Sequence, residues 1–311
     1  MNIHQFDYII AVEELQNFGQ AAERCYVTQS TLSTMIARFE DEIGVRIFDR
    51  STKPVTITKE GRGVLRQLRV INKEIENLHE VVDSLTGESK GVITIGAIPT
   101  IGPYLLPLFI HDFIQKFPHI RFEISEITTE QIIDQIQRRI LDIGIVSVPL
   151  NIPEIKELWL YDEVFWGFDA GIKAQRDHIN QSDIDIERLW LLEEGHCMRT
   201  QVETLCGSHQ KRDLKRNLDY KSGTIDTLIK FVEKTKGMTL LPHLATLDLD
   251  ENKRRFLRAF ATPVPARSVG LIYHEHFVKK KVLNALKKHI IDKVSQVHTD
   301  DTADTQILCP V

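Results

Sequence analysis

The chain has 311 residues, 42% of them hydrophobic and 27% charged, with a formal net charge of -5. That length suits two or three domains, each with its own core, and the composition is that of an ordinary globular protein. The negative balance excludes a uniformly basic nucleic-acid binder, so any basic surface has to be local. The opening MNIHQFDYIIAVEELQNF has no basic stretch followed by an apolar run, and no apolar run approaches the ~20 residues that span a bilayer. The expected location is cytoplasmic, with no membrane partner, and a purely structural disulfide is unexpected in a reducing compartment. Cys25, Cys197, Cys206 and Cys309 make neither a disulfide framework nor a CxxC zinc ribbon.

In chain order, Ile3, Phe6, Ile9, Ile10 and Val12 lie near helical spacing and predict a short amphipathic helix. Asn17 can cap a second helix, FGQAAERC, whose Ala21-Ala22 pair allows close packing. After the turn CYV, Thr28 caps TQSTLSTMIARFEDEIG. Leu32, Ile36, Phe39 and Ile43 form its apolar stripe, and Gly44 ends it. Two helices joined by a short turn form a helix-turn-helix pattern, in which the start of the second helix enters the major groove. The candidate DNA contacts there are Thr28, Gln29, Ser30, Thr31, Ser33 and Thr34. A glutamine can pair with an adenine edge, and hydroxyls reach bases or phosphates. Taken alone, the same helix reads equally well as a capped surface helix. VRIFDR-STKP-VTITKEG then reads as strand, turn, strand and helix start, which is a wing. From Arg46 to Lys73 there are eight lysines and arginines and two acids, a local excess of six positive charges. That is the footprint of phosphate contact, with Arg50, Lys53 and Arg62 as candidates.

The run AAERCYVTQSTLSTMIARFEDEIGVRIFDRSTKPVTITKEG resembles the winged helix-turn-helix of the LysR-type transcriptional regulators over nearly the whole N-terminal domain. It departs from the family at Ser30, often proline, at Met35, commonly glutamine, and at Lys53-Pro54, which replaces a more basic wing tip. These departures bear on base preference and leave DNA binding intact. From Lys59 to about Thr86, Val64, Leu68, Ile71, Ile75, Leu78, Val82 and Leu85 make a heptad seam. A small wing cannot cover a stripe of that length, so the helix is expected to pair with its twin in a dimer. Docking on its own sensor domain is the alternative. By resemblance this is the linker helix, and a dimer sets two recognition helices on a two-fold-related, palindromic site.

GESKG breaks the pattern. Strand-like VITIGAI, RFEIS, DIGIVSV, MTLL and SVGLIY then alternate with helical YLLPLFIHDFIQKF, EQIIDQIQRRI and TIDTLIKFVEKT. Such alternation predicts α/β layers with parallel sheets. The resemblance implies an α/β fold class with an N-terminal winged helix-turn-helix, a long linker helix and a C-terminal periplasmic-binding-protein-like sensor of two α/β subdomains joined by two crossovers. The expected division is 1–58 for DNA binding, 59–87 for the linker helix and 91–298 for regulation. Within the last, subdomain I is 91–161 with 267–298, and subdomain II is 162–266. The end, HTDDTADTQILCPV, is polar and aperiodic, and 299–311 reads as a flexible tail with Cys309 incidental.

EEGHCMRTQVETLCG, from Glu193 to Gly207, leaves three readings for its cysteines: packing, a metal site or a redox pair. Packing is the plainest for two arbitrary intracellular cysteines. Zinc would draw on His196, Cys197, Cys206 and His209, but adjacent ligands such as His196 and Cys197 rarely suit one tetrahedral ion. For redox work, Cys197 stands two residues before Arg199 where a helix can begin, and both features favour a thiolate. A thiolate can attack peroxide to give a sulfenic acid, which a second thiol resolves. If 197–206 is helical, its nine steps rise about 13–14 Å. A disulfide needs Cα atoms within roughly 7 Å. The bond would then require unwinding, which is what a switch needs.

LEEGHCMRTQ, with its second cysteine after eight intervening residues, resembles the redox centre of OxyR-type peroxide sensors, a LysR subgroup. IPTIGPYLLP at 98–107 and TLLPHLA from Thr239 resemble that subgroup too. The resemblance implies that Cys197 is the peroxidatic thiol and Cys206 the resolving one. Thr100, Thr129 and His196 would hold peroxide, and Arg199 would stabilise the thiolate. Each threonine alone reads as a helix or loop cap. Thr200 stands where the subgroup tends to have an acid that could position Arg199. The implied function is a transcriptional regulator of the oxidative-stress response, switched by hydrogen peroxide and acting as a dimer or tetramer at a palindromic promoter. RNA polymerase and a thiol reductant such as glutaredoxin or thioredoxin are the further expected partners. No cofactor or metal is expected, and peroxide is consumed stoichiometrically rather than enzymatically. The alternatives are a metabolite-responsive LysR-type regulator with incidental cysteines, and a thiol peroxidase or other redox enzyme.

Overall fold

The computed structural model describes residues 2–86, 90–171, 178–207, 222–297 and 304–310. The chain divides into two compact units, residues 1–88 with 138–140, and residues 89–137 with 141–311. Among the described residues, no helix is long and apolar enough to cross a membrane.

The first unit opens with three helices, α1 (Ile3–Leu15), α2 (Phe18–Arg24) and α3 (Gln29–Ile43). Their ends follow from local chemistry. Asn17 Oδ1 accepts from the amides of Gly19 and Gln20 at 2.8 and 3.2 Å, and Thr28 Oγ1 accepts from the Thr31 amide at 3.2 Å. Gly44 closes α3 in the left-handed region at φ 69°. Phe6, Ile9 and Val12 pack with Ala21, Ala22, Leu32, Ile36 and Phe39 in one core. Ile3, expected in the first stripe, is exposed in the opening turn, while Ile10 and Ile43 are half-buried at its edge.

The wing is a short antiparallel ladder, β1 (Phe48–Asp49) on β2 (Thr56–Ile57). Glu40 ties it to α3. This carboxylate is 1% exposed and accepts from the amides of Ile47 at 2.7 Å and Phe48 at 3.2 Å. Arg46 and Arg50 pair with its other oxygen at 3.2 and 3.3 Å. The long helix α4 runs Gly61–Thr86. Its apolar face is divided in use. Leu65 and Leu68 are buried in the helix-turn-helix core with Val64 and Ile71 against them, whereas Leu78, Val81 and Val82 are exposed. The expected continuous seam is therefore corrected. The first turns of α4 complete their own domain's core, and the unpartnered apolar surface begins further along. The side chain of Leu85 lies outside the described residues.

In chain order the second unit contains β3 (Gly91–Ala97), α5 (Gly102–Ile114), β4 (Ile120–Glu126), α6 (Thr129–Gln137), β5 (Ile143–Val148), β6 (Ile155–Asp169), β7 (His178–Ile179), α7 (Cys197–Leu205), α8 (Ile225–Thr235), β8 (Met238–Pro242), α9 (His243–Leu247), α10 (Glu251–Arg254), β9 (Leu257–Phe260), β10 (Val264–His274), α11 (Lys280–Val294) and β11 (Thr305–Ile307). The strand order is β4-β3-β5-β10-β6-β9-β7, with β8 on β6 and β11 on β10. β3, β4 and β5 are parallel, but β10 runs antiparallel to both β5 and β6. The expected parallel sheets are thus mixed, because β6 and β10 cross in opposite directions between two cores. The first core holds Ile155, Leu160 and Tyr161 of β6 with α5, α6 and α11, and the second holds Phe165 and Phe168 with α7 and α8.

The C-terminal segment departs from expectation. Residues 298–303 lie outside the described residues, but β11 pairs in parallel with Val264–Ala266 of β10. Leu308 is 2% exposed within the second core. Leu308, in the apolar end of the tail, supplies an anchor that its lack of periodicity does not reveal.

Glu40→Ala would strip two buried amides and two guanidinium groups of their acceptor. The expected loss is roughly 3–5 kcal/mol of stability in this unit, read by urea unfolding, with Glu40→Gln intermediate.

Candidate functional site

Cys197 is the first residue of α7 and Cys206 caps its far end. Gly195 precedes them at φ +94°, a backbone turn that favours glycine. Neither cysteine is in a disulfide. Nine helical steps separate their Cα atoms by ~13 Å, nearly twice the span a disulfide tolerates. Cys197 is buried in the first core, while Cys206 packs, half-buried, against the second. The same separation removes the zinc set, since one tetrahedral ion cannot reach both ends of an intact helix. His209 lies outside the described residues.

Thr100 and Thr129 come from adjacent places in the sheet. Each follows the C-terminal end of a parallel strand by three residues, and those ends, Ala97 of β3 and Glu126 of β4, are paired in register. The carboxyl edge of parallel strands is where α/β folds place ligands. Thr129 opens α6, but Thr128 Oγ1 takes the capping role by accepting from the Gln131 amide at 3.4 Å. Thr129 Oγ1 is buried with no hydrogen-bond partner among the described residues.

Thr100 is held by a residue that motif reading passed over. Arg267 Nη1 donates to Thr100 Oγ1 and Nη2 to its carbonyl, both at 2.9 Å. Arg267 also donates through Nε and Nη2 to Glu163 Oε2, at 2.9 and 2.8 Å. The two side chains are 0% and 1% exposed and lie directly opposite each other on β10 and β6. The other Glu163 oxygen accepts from the Leu244 amide at the start of α9 at 2.8 Å. The available signal was a lone arginine ahead of the apolar run SVGLIY and a glutamate inside YDEVFWGF.

His196, just before α7, is 6% exposed, with Nε2 3.8 Å from Glu193 Oε1. Burial pushes its pKa below the ordinary histidine value, against the opposing pull of Glu193. It is neutral near pH 7, with one ring nitrogen to donate and one to accept. Arg199 is held by two hydrogen bonds. Its Nε donates to Glu203 Oε1 at 3.0 Å and its Nη1 to the Leu192 carbonyl at 3.2 Å. Glu203, one turn ahead on α7, is an acidic partner for Arg199 where position 200 offers none.

In the first unit, Thr28, Gln29, Ser30, Thr31 and Thr34 are exposed at the start of α3, and Ser33 is half-buried. Thr28 Oγ1 lies 3.0 Å from Ser30 Oγ and 2.8 Å from Thr31 Oγ1, so these hydroxyls form one cluster. Lys53 and Arg62 are exposed. Arg50, the third candidate phosphate contact, is also exposed. It donates to Ser33 Oγ at 2.8 Å, pairs with Glu40 and lies 4.8 Å over the Phe18 ring, which makes it a brace between wing and α3.

Residues 3–62 match the model of the bacterial regulatory helix-turn-helix protein, lysR family, and residues 86–295 match the LysR substrate binding domain. The chain belongs to the LysR family. Within it, this LysR member is of the OxyR type. It is 31% identical to the DNA-binding transcriptional dual regulator OxyR of Escherichia coli, over 88% of this chain and 89% of that one. It is 27% identical to the hydrogen peroxide-inducible genes activator of Haemophilus influenzae, over 96% and 98%. A full-length OxyR variant from Pseudomonas aeruginosa superposes with a TM-score of 0.77 at 29% identity, covering 94% of this chain and 98% of that one. LysR membership accounts for the helix-turn-helix and the two-core α/β unit together.

Arg267→Leu would leave Glu163 buried without its cation, with an expected loss of roughly 3–5 kcal/mol in thermal or urea unfolding. His196 gives a pH signature. Its native pKa is lowered, so the unfolded chain takes up this proton first as pH falls. The stability it contributes is intact above the ordinary histidine range and is lost as pH drops through that range toward the lowered native value. Urea midpoints between about pH 7.5 and 5 should show this loss, and His196→Gln should flatten it.

Proposed function

We propose that this OxyR-type protein is a peroxide-responsive transcriptional regulator in which Cys197 is oxidised and Cys206 captures it. The observation that carries the reading is two reduced thiols at opposite ends of one helix, packed in different cores. The Cys197 thiolate attacks one peroxide oxygen, the O–O bond breaks, and the departing hydroxide takes a proton to leave as water. Cys206 then attacks the sulfenic sulfur, the S–O bond breaks and a second water leaves. Two thiols supply the two electrons that reduce one peroxide. The bond cannot close until α7 unwinds, so the covalent event selects a different sensor conformation.

Thr100, Thr129 and His196 orient the peroxide. The buried, unspent Thr129 hydroxyl and the neutral His196 support that role, and Arg267 fixes the Thr100 hydroxyl. Arg199, held by Glu203, stabilises the Cys197 thiolate. The regulatory domain works as two subdomains, 91–161 with 267–298, and 162–266, which the two cores support. Residues 1–58 bind a palindromic promoter, with Gln29 reading a base edge and Arg50 and Lys53 on phosphates, joined by Arg62 in the first turn of α4. The exposed Leu78 and Val82 favour pairing of the 59–87 helix with its twin. The protein acts in the cytoplasm with RNA polymerase, is reset by a thiol reductant such as glutaredoxin or thioredoxin, and turns over peroxide only once per reduction.

Peptide mapping after mild peroxide treatment should find Cys197 linked to Cys206. A chain oxidised without that link would favour a metabolite-responsive regulator, and a promoter footprint that shifts normally in Cys197→Ser would remove the switch. Replacing Lys53 or Arg62 with alanine should weaken binding on all sequences and lower the salt slope by about one, whereas Gln29→Ala should change base preference.

A further inference from the structure

The C-terminal strand touches the same helix that carries both thiols. Gln201 sits on α7 between the cysteines, is 0% exposed, and its Nε2 donates to the Leu308 carbonyl at 2.8 Å. Its Oε1 is buried with no hydrogen-bond partner among the described residues. Leu308 packs in the same core as Met198, Val202 and Leu205 of α7. On its other side, the Leu308 amide donates to the Ala266 carbonyl at 2.7 Å, and the Val264 amide donates to the Asp304 carbonyl at 2.9 Å. The segment thus bridges α7 to β10, one residue before Arg267, the group that holds Thr100.

We propose that residues 304–310 are a redox-released strap: docked, they hold α7 in its reduced helical form, and closure of the Cys197–Cys206 bond frees them. The inference rests on the disulfide reading above. The coupling is reciprocal. Unwinding α7 removes the Gln201 amide and withdraws Val202 and Leu205 from the core that Leu308 shares. Conversely, loss of the tail would take away the acceptor of the Gln201 amide and the leucine packed in the same core, so α7 would lose support on that side. The attachment is small: a three-residue ladder, buried Leu308 and Pro310, and one side-chain bond. Anchors of that size belong to the low-stability end of a fold, where opening accompanies function. Gln306, Ile307 and Cys309 beside the anchor are already exposed.

Hydrogen exchange on the full chain tests the release, with the Cys197–Cys206 link quantified in the same sample. Backbone amides of 304–310 should be protected in the reduced protein and exchange at least roughly tenfold faster after oxidation. Unchanged protection in a sample that carries the link would overturn the strap. A second arm needs no disulfide. Deleting residues 304–311, or the milder Gln201→Met, should raise the alkylation rate of reduced Cys197 by iodoacetamide roughly fivefold. Equal rates in both variants would overturn the proposal even if the link forms, and a raised rate without any link would count against the disulfide reading while upholding the tail's hold on α7.

Discussion

The Arg267–Glu163 pair is the constraint on which the second unit is assembled. A guanidinium and a carboxylate have both been taken wholly out of water, which costs several kcal/mol per ion unless nearly every donor and acceptor is satisfied. Here the satisfaction comes from four separate elements: β10 carries Arg267, β6 carries Glu163, the start of α9 supplies the Leu244 amide, and the segment after β3 supplies Thr100. A pair so placed adds little net stability compared with packed hydrocarbon. Its effect is positional. It fixes where the two crossing strands meet, and it settles the orientation of the Thr100 hydroxyl, which otherwise could rotate freely.

With the strand crossing fixed, α7 has a core on either side. Cys197 enters one and the rest of the helix lies on the other, so the reduced state is stabilised by apolar burial at both ends of a nine-residue helix. That arrangement keeps the thiols apart without strain. A bond between them would have to displace the packing that surrounds them, and a local covalent event that displaces packing has a wider readout.

The first unit obeys a parallel rule at smaller scale. A buried Glu40 collects the amides that start the wing and the guanidinium of Arg50, so wing and α3 move as one piece. Arg50 pairs with Glu40 and Ser33 at the domain's surface, while Lys53 and Arg62 are exposed beside it in sequence. The apolar face of α4 is divided, its first turns used by its own core and Leu78 to Val82 left exposed.

Local chemistry was legible in the sequence by itself. Caps at Asn17 and Thr28, the stop at Gly44, the α3 stripe, the alternation of strands and helices and the His-Cys-Met-Arg motif all depend on neighbours within about one helical turn or a strand's length. Those features sufficed for the helix-turn-helix, the α/β layers and the family. What depends on partners distant in the chain was decided only by the tertiary structure. Arg267 meets Thr100 across 167 positions and Glu163 across 104, and neither spacing has a periodic signature. Arg199 pairs with Glu203 at i+4, a contact the His-Cys-Met-Arg motif does not include. The tail read as flexible because one leucine makes no pattern, and only the cleft between β10 and α7 gives that leucine a place to be buried.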